Sequence, residues 1–166
     1  MTNTEAAEAA QARVRQITPD AVTMSSSLLG RIDYGDAFVV HVGAPRSRLA
    51  EQWMRVILED APASVRLRLL SAWSAIGLKV SLPGSDRSVL GWQIRATDAD
   101  FVLLGADSRI GMPGELLLRR QENGLLFATL VRYDNSIARG LWSSIEAAHV
   151  RTVRSILEMA SRRAAV

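Results

Sequence analysis

Between Ser88 and Tyr133 the chain turns so often that no helical crossover fits. Parallel sheet neighbours need a connection of about a dozen residues or more, so strands this close in sequence pair antiparallel. Ser88 to Thr97 alternates, with Leu90, Trp92, Ile94 and Ala96 on one face and Gly91, Gln93, Arg95 and Thr97 on the other. Asp98-Ala99-Asp100 turns into an apolar strand over Phe101–Ser108, and Gly111-Met112-Pro113-Gly114 breaks it. Glu115–Gln121 and Leu125–Tyr133 then flank Asn123-Gly124, the strongest short hairpin signal in the chain. A two-residue turn there sets Leu118 opposite Thr129, Leu116 opposite Val131 and Arg120 opposite Phe127, on the face that carries Tyr133. The other face pairs Glu115 with Arg132 and Leu117 with Leu130, and Arg119 and Gln121 add charge and polarity to it. The first face is therefore expected to point inward.

A helical period takes over at the end of the chain. Ser136 to Arg163 reads as one long amphipathic helix. At about 100° per residue, Ile137, Leu141, Trp142, Ile145, Ala148, Val153, Ile156 and Ala160 fall within half the wheel. His149 lies near the centre of that apolar half. Arg151, Arg154, Glu158 and Arg162 share the opposite side, the last three at a spacing that pairs charges on a helix. A long helix laid over a sheet with one titratable group beneath it predicts a pocket.

Upstream, Asp36 to Val42 is rich in β-formers and reads as a strand ended by Gly43-Ala44-Pro45. Ser47 is placed to cap a helix through Leu58, with Leu49, Trp53, Val56 and Ile57 along one side. Pro62 suits the first turn of a second helix carrying Val65, Leu69, Ala72, Trp73 and Ile76 before Gly77 ends it. The two make a helical hairpin joined at Asp60-Ala61. Leu78 to Leu82 is expected to be a short strand. Residues 1–30, Ala-rich and then polar, read as an extension that either forms a helix from Thr4 to Gln16 or stays loosely ordered. The folded domain is expected to begin at Gly30–Arg31 and run to residue 166.

A chain of 166 residues, 48% hydrophobic, is long enough for one domain with a full core. Without Cys it has neither disulfides nor thiolate metal sites. The opening MTNTEAAEAAQARVRQ lacks the basic and apolar regions of a secretory signal, and no stretch approaches the roughly 18 apolar residues of a membrane span. A cytoplasmic protein is expected. Net charge is only +3, and 19 of the 20 basic residues are Arg. They are dispersed and balanced by acids, with no aromatic-rich binding motif, so specific nucleic-acid binding is not expected.

The order is thus strand, two short helices, a meander of strands and a long terminal helix. It resembles the helix-grip fold of the START, polyketide-cyclase and birch-pollen-allergen-like superfamily over residues 31–163. IDYGDAFVV (32–40), VLGWQI (89–94), FATLVRYDN (127–135) and AAHVRTV (147–153) are similar to an uncharacterised bacterial branch of it, a domain of unknown function. The resemblance implies an α+β helix-grip fold: a curved antiparallel sheet of about five to seven strands, wrapped on the C-terminal helix and leaving an apolar cavity. It implies no catalytic motif.

His149 reads either as a core histidine with satisfied nitrogens or as a group that contacts ligand or transfers protons near neutral pH. Tyr133 and Thr129 bring inward hydroxyls that need partners, Tyr133 either bracing the helix entry at Asp134-Asn135-Ser136 or touching ligand, and Phe127, Trp92, Trp142 and Ile145 are expected to line the cavity. Asp134, Asn135 and Ser136 are read as helix caps. Asp33, Tyr34 and Asp36 either ring a pocket mouth or are turn chemistry before a strand. Arg120, inward near the hairpin tip, either clamps an anionic ligand group or is a rim arginine snorkelling into solvent, the reading favoured here. With His41 the only other His, no metal site is expected, and without GxGxxG, P-loop or GxSxG no cofactor or serine nucleophile is expected. The leading function is binding of a small apolar or amphipathic molecule. A cyclase, dehydratase or isomerase using His149 as acid or base is the second, and a filled-core structural or partner-binding domain the third; a homodimer stays open. Cavity volume separates the third from the others. A second acid or base within about 3 Å of His149 separates enzyme from carrier.

Overall fold

The structure, a computed structural model, describes residues 2–5 and 13–165. In chain order the elements are β1 (Val14–Ile17), α1 (Ala21–Ser25), β2 (Tyr34–His41), α2 (Ala50–Leu58), α3 (Ala63–Ala75), β3 (Ser88–Val89), β4 (Trp92–Thr97), β5 (Phe101–Ala106), β6 (Gly114–Gln121), β7 (Gly124–Val131) and α4 (Ser136–Ala164). The seven strands form one open sheet in the order β1-β2-β7-β6-β5-β4-β3, and every neighbouring pair is antiparallel. With α2 and α3 following β2 and α4 closing the chain, this is the expected α+β arrangement and is consistent with a helix-grip fold.

Side-chain alternation divides the sheet into two apolar faces. Phe38, Val40, Leu104, Leu116, Leu118, Leu125 and Phe127 point inward and form one core with Trp53, Met54 and Ile57 of α2 and Val153, Ile156 and Leu157 of α4. Each such side chain contributes roughly 1.5–3 kcal/mol by leaving water. Ala37, Leu103, Leu117, Leu126 and Ala128 form a smaller cluster on the outer face. The segment after β1 follows that outer face. Asp20 caps α1 by accepting from the Thr23 N–H at 2.7 Å and also pairs with Arg119 at 2.8 Å. Ser27 Oγ and the Leu28 N–H donate to the buried Glu115 carboxyl at 2.6 and 2.8 Å, and Arg132 donates to the Leu29 carbonyl at 2.6 Å.

Several local expectations are corrected. The first strand is Val14–Ile17, so a helix running to Gln16 does not form; residues 6–12 of that expected helix lie outside the described residues. Leu78–Leu82 is not a strand: Leu78 makes a single bridge to Ser108, and the Ser81 N–H donates to the Gly91 carbonyl. The expected strand Ser88–Thr97 is instead a hairpin. Leu90 and Gly91 both take positive φ, 44° and 87°, the backbone that a tight two-residue turn requires. The Asn123-Gly124 turn also lies elsewhere. Gln121 pairs with Gly124, so the turn residues are Glu122 and Asn123, and Leu118 faces Phe127 while Leu116 faces Thr129. This register differs from the expected one by two residues, which leaves every side chain on its expected face. Gly124 is a strand residue whose missing Cβ makes room for the Val40 carbonyl.

On the helices, Ser47 does not cap α2. Its hydroxyl donates to the Ala44 carbonyl, and Gln52 instead reaches back to accept from the Leu49 N–H at 2.8 Å. Asn135 caps α4, its side chain accepting from the Ala138 N–H at 2.8 Å. The buried stripe of α4 runs through Ala138, Trp142, Val153, Ile156, Leu157, Ala160 and Ser161, and Ile137 is 74% exposed at the helix start. Arg154 does not pair with Glu158; it donates to the Val14 carbonyl and lies over the Phe38 ring, tying α4 to the first two strands.

Candidate functional site

The apolar stripe of α4 puts His149 over β2, and the alternation of β2 puts Tyr34 and Asp36 on the same inward face as Phe38 and Val40. Asp36 is only 3% exposed, and its carboxyl is surrounded by donors. His149 Nε2 lies 3.0 Å from Oδ2, the Tyr34 hydroxyl donates to the same oxygen at 2.7 Å, and the Thr129 backbone N–H donates to Oδ1 at 3.3 Å. A carboxylate supplies acceptors only, so this arrangement places the proton of a neutral imidazole on Nε2. Nδ1, which has no partner among the described residues, is then the basic nitrogen. Burial and the Asp36 carboxylate push the Tyr34 phenol far above its ordinary range, which keeps it a donor. Trp142 packs against both rings, its centroid 4.9 Å from Tyr34 and 4.9 Å from His149, and fixes the imidazole plane.

His149 faces open space. A cavity of about 370 Å³ lies between α3, α4 and the sheet, lined by Leu58, Leu69, Trp73, Ile76, Leu116, Phe127, Trp142, Ile145, His149, Val153 and Ile156 among others. Its volume falls within the range of small-molecule sites. Deeper toward β4 and β6 it adjoins a chamber of about 50 Å³ walled by Trp73, Trp92, Met112, Thr129, Val131, Trp142 and His149. Outward it adjoins a groove of about 340 Å³ between α3 and α4, which shares Leu69, Ala72, Ala148, Thr152 and Ile156 with the cavity and adds Arg68 and Arg151 at its edge. The core between sheet and helices is therefore not filled, although four tryptophans are available to fill it.

Of the residues expected from sequence to line a cavity, the structure brings together His149, Phe127, Trp142 and Ile145 around the larger space and Trp92 and Thr129 around the smaller one. Tyr133 packs with Val131, Ala138 and Trp142 at the start of α4, outside both spaces. Its backbone N–H donates to Asp33 at 2.7 Å, its ring lies under Arg139, and it lines neither space. The Arg120 side chain is only 9% exposed and is held by Asp100 and the Arg48 carbonyl, so it does not snorkel into solvent as expected. The polar partner of His149 is Asp36, which Tyr34 bonds in turn; a strand taken to begin at Asp36 leaves both residues open between a pocket mouth and turn chemistry. Starting it at Tyr34 would have shown two polar groups at period two on a face otherwise occupied by Phe38 and Val40.

Among the described residues, no three His, Asp or Glu side chains cluster as metal ligands, and no helix is long and apolar enough to cross a membrane. The arginines are dispersed, with Arg31, Arg55, Arg95, Arg119, Arg120 and Arg132 each paired to an acid. Comparison with known proteins returns no match, whether to a family model, a curated protein or a solved structure.

Proposed function

We propose that this protein binds a small apolar or amphipathic molecule between its sheet and its C-terminal helix. The observation that carries this reading is the cavity of about 370 Å³, apolar on nearly every wall and bearing one imidazole held in place from behind by a buried carboxylate. A domain built only for structure would gain stability by closing such a space, since cavities destabilise in proportion to their volume. The test is native mass spectrometry of the protein purified from its own host, beside an Ala148→Trp variant. Ala148 is exposed on α4 and sits in the wall common to groove and cavity, so an indole there blocks entry without disturbing the core. The expected result is a co-purifying small molecule on the wild type that is absent from the variant. Identical, ligand-free spectra from both would reject the reading.

A second reading, proton-transfer catalysis of the isomerase, dehydratase or cyclase kind, is favoured by one specific observation. The Asp36 carboxyl lies 3.0 Å from His149 Nε2, and a carboxylate there accepts from a protonated Nε2 and leaves Nδ1 as the base. Such an acceptor orients the ring and stabilises the imidazolium formed when Nδ1 takes a proton. A nitrobenzisoxazole serves as a general probe: Nδ1 removes the ring C–H proton, the electron pair forms the nitrile, and the N–O bond breaks to release a phenolate. Catalysis above buffer that is abolished in His149→Phe and reduced in Asp36→Asn supports the enzyme reading. No acceleration of a probe that demonstrably binds returns the site to simple binding.

A further inference from the structure

The deep chamber carries more unpaired hydrogen-bonding capacity than a dry core tolerates. Trp92 Nε1, Trp142 Nε1 and Thr129 Oγ1 are all buried, and none has a partner in the protein. The three residues belong to β4, α4 and β7, far apart in sequence, yet all line the same chamber of about 50 Å³ beside His149. An unpaired buried donor costs free energy, and native proteins carry few, so three around one small space mark a place meant for a partner. An indole N–H can only donate, and the Thr129 hydroxyl can donate as well. Resting on the reading of the adjoining cavity as a binding site, we infer that the ligand carries an oxygen acceptor, a carbonyl or carboxylate, on its apolar body. That oxygen seats in this chamber between Trp92, Trp142 and Thr129, while the apolar body fills the larger space. The placement also brings the carbon next to the oxygen toward His149.

The test compares matched probes on two scaffolds by calorimetry: ethylnaphthalene, acetylnaphthalene and naphthoate on a flat ring, and decane, decanone and decanoate on a flexible chain. On at least one scaffold an oxygen-bearing probe is expected to bind about tenfold more tightly than its hydrocarbon. Whether the ketone or the carboxylate leads decides between the two oxygen types. Thr129→Val removes the hydroxyl at nearly constant shape and keeps the backbone N–H to Asp36, and Trp142→Phe removes one indole donor. Each should shrink the ratio of oxygen-bearing to hydrocarbon affinity. Nitrogen-15 labelling of the indoles gives a readout independent of affinity, because the Trp92 and Trp142 N–H resonances should move downfield with the oxygen-bearing probes only. Equal binding of hydrocarbon and oxygen-bearing probes, with both indole signals unmoved, overturns the inference and leaves the cavity reading standing, the chamber then holding only water. Failure of every probe to bind overturns both.

Discussion

His149 and Asp36 act as one unit, and that changes what substitution of either does. The helical wheel made His149 legible, because a single imidazole in an apolar stripe is conspicuous. Asp36 was not, because an aspartate at a strand start is ordinary turn chemistry until the strand is known to begin two residues earlier. With Asp36 buried, His149→Leu takes one donor from a carboxylate that keeps only the Tyr34 hydroxyl and the Thr129 N–H. The loss should be roughly 1.5–3 kcal/mol, the range for hydrogen bonds to a charged group. The double variant His149→Leu/Asp36→Leu removes the carboxylate too, and it should melt above the single variant, since replacing both members of a buried pair is milder than stranding one. A double variant less stable than His149→Leu would show that the pair does not hold α4 on β2. On the other face, burial raises the Glu115 pKa despite its bonds from Ser27 and Leu28. The folded state then binds a proton more tightly than the unfolded state, so Glu115 stabilises most below the ordinary carboxylate value, and that contribution is lost as pH rises through the raised one. Glu115→Gln, which keeps the Leu28 bond and can donate to Ser27, should therefore raise the melting temperature at neutral pH. The gain should shrink on acidification. A gain that persists unchanged in acid would mean that charge burial is not its cause.

Among the elements, periodicity gave the faces of β6 and β7 reliably and turns poorly, and in β4 the expected shared face of Ile94 and Ala96 is broken by a bulge that pairs Ile94 with Leu104 of the inner core and Ala96 with Leu103 of the outer cluster. Alternation is a property of many residues at once, so the inward set Leu116, Leu118, Phe127, Thr129 and Val131 survives a two-residue error in register. A turn depends on one or two residues whose role tertiary contacts can reassign. Leu90-Gly91 was hidden because Leu is a poor residue for positive φ. It is accepted there because Leu90 is buried in the core, a gain of roughly 1.5–3 kcal/mol that offsets the backbone strain. Asn123-Gly124 had the stronger turn signature, yet the glycine answers a different need, the close approach of the Val40 carbonyl on the neighbouring strand. This separates two accounts of Gly124→Ala. If the glycine served turn conformation alone, an alanine in this extended strand would be nearly neutral or slightly stabilising. Because a Cβ there runs into backbone, which cannot swing aside, the variant should lose about 1–3 kcal/mol, the range for overpacking. It should also weaken pairing of β2 with β7, seen as faster amide exchange along β2 than elsewhere in the sheet. A neutral melt with unchanged exchange would reject the steric account.

At the scale of the whole molecule, the sheet is covered on both sides, and only one of its covers was visible in the sequence. The inner cover is α2, α3 and α4, announced by helical period and caps. The outer cover is the stretch from Val14 to Leu29, which carries no strong period and reads as an extension. It works through scattered contacts instead: β1 on the free edge of β2, Asp20 on Arg119, and Ser27 with Leu28 on Glu115. The side-chain contacts among these lie 87 to 99 residues apart in sequence and leave no local pattern to read. Their removal has a definite consequence. A chain beginning at Gly30 would expose β2 as an unpaired edge and uncover the outer cluster of Ala37, Leu103, Leu117, Leu126 and Ala128, while the Glu115 carboxyl would lose both of its donors. Bare strand edges and contiguous apolar patches promote association. The truncated chain should therefore melt well below the full chain, bind a hydrophobic dye and run as larger species in size-exclusion chromatography. The cavity lies on the opposite side of the sheet, so ligand added to the truncated chain should recover part of the lost melting temperature by mass action. A truncated chain that is monomeric, dye-free and as stable as the full protein would instead place the whole fold within the residues after Leu29.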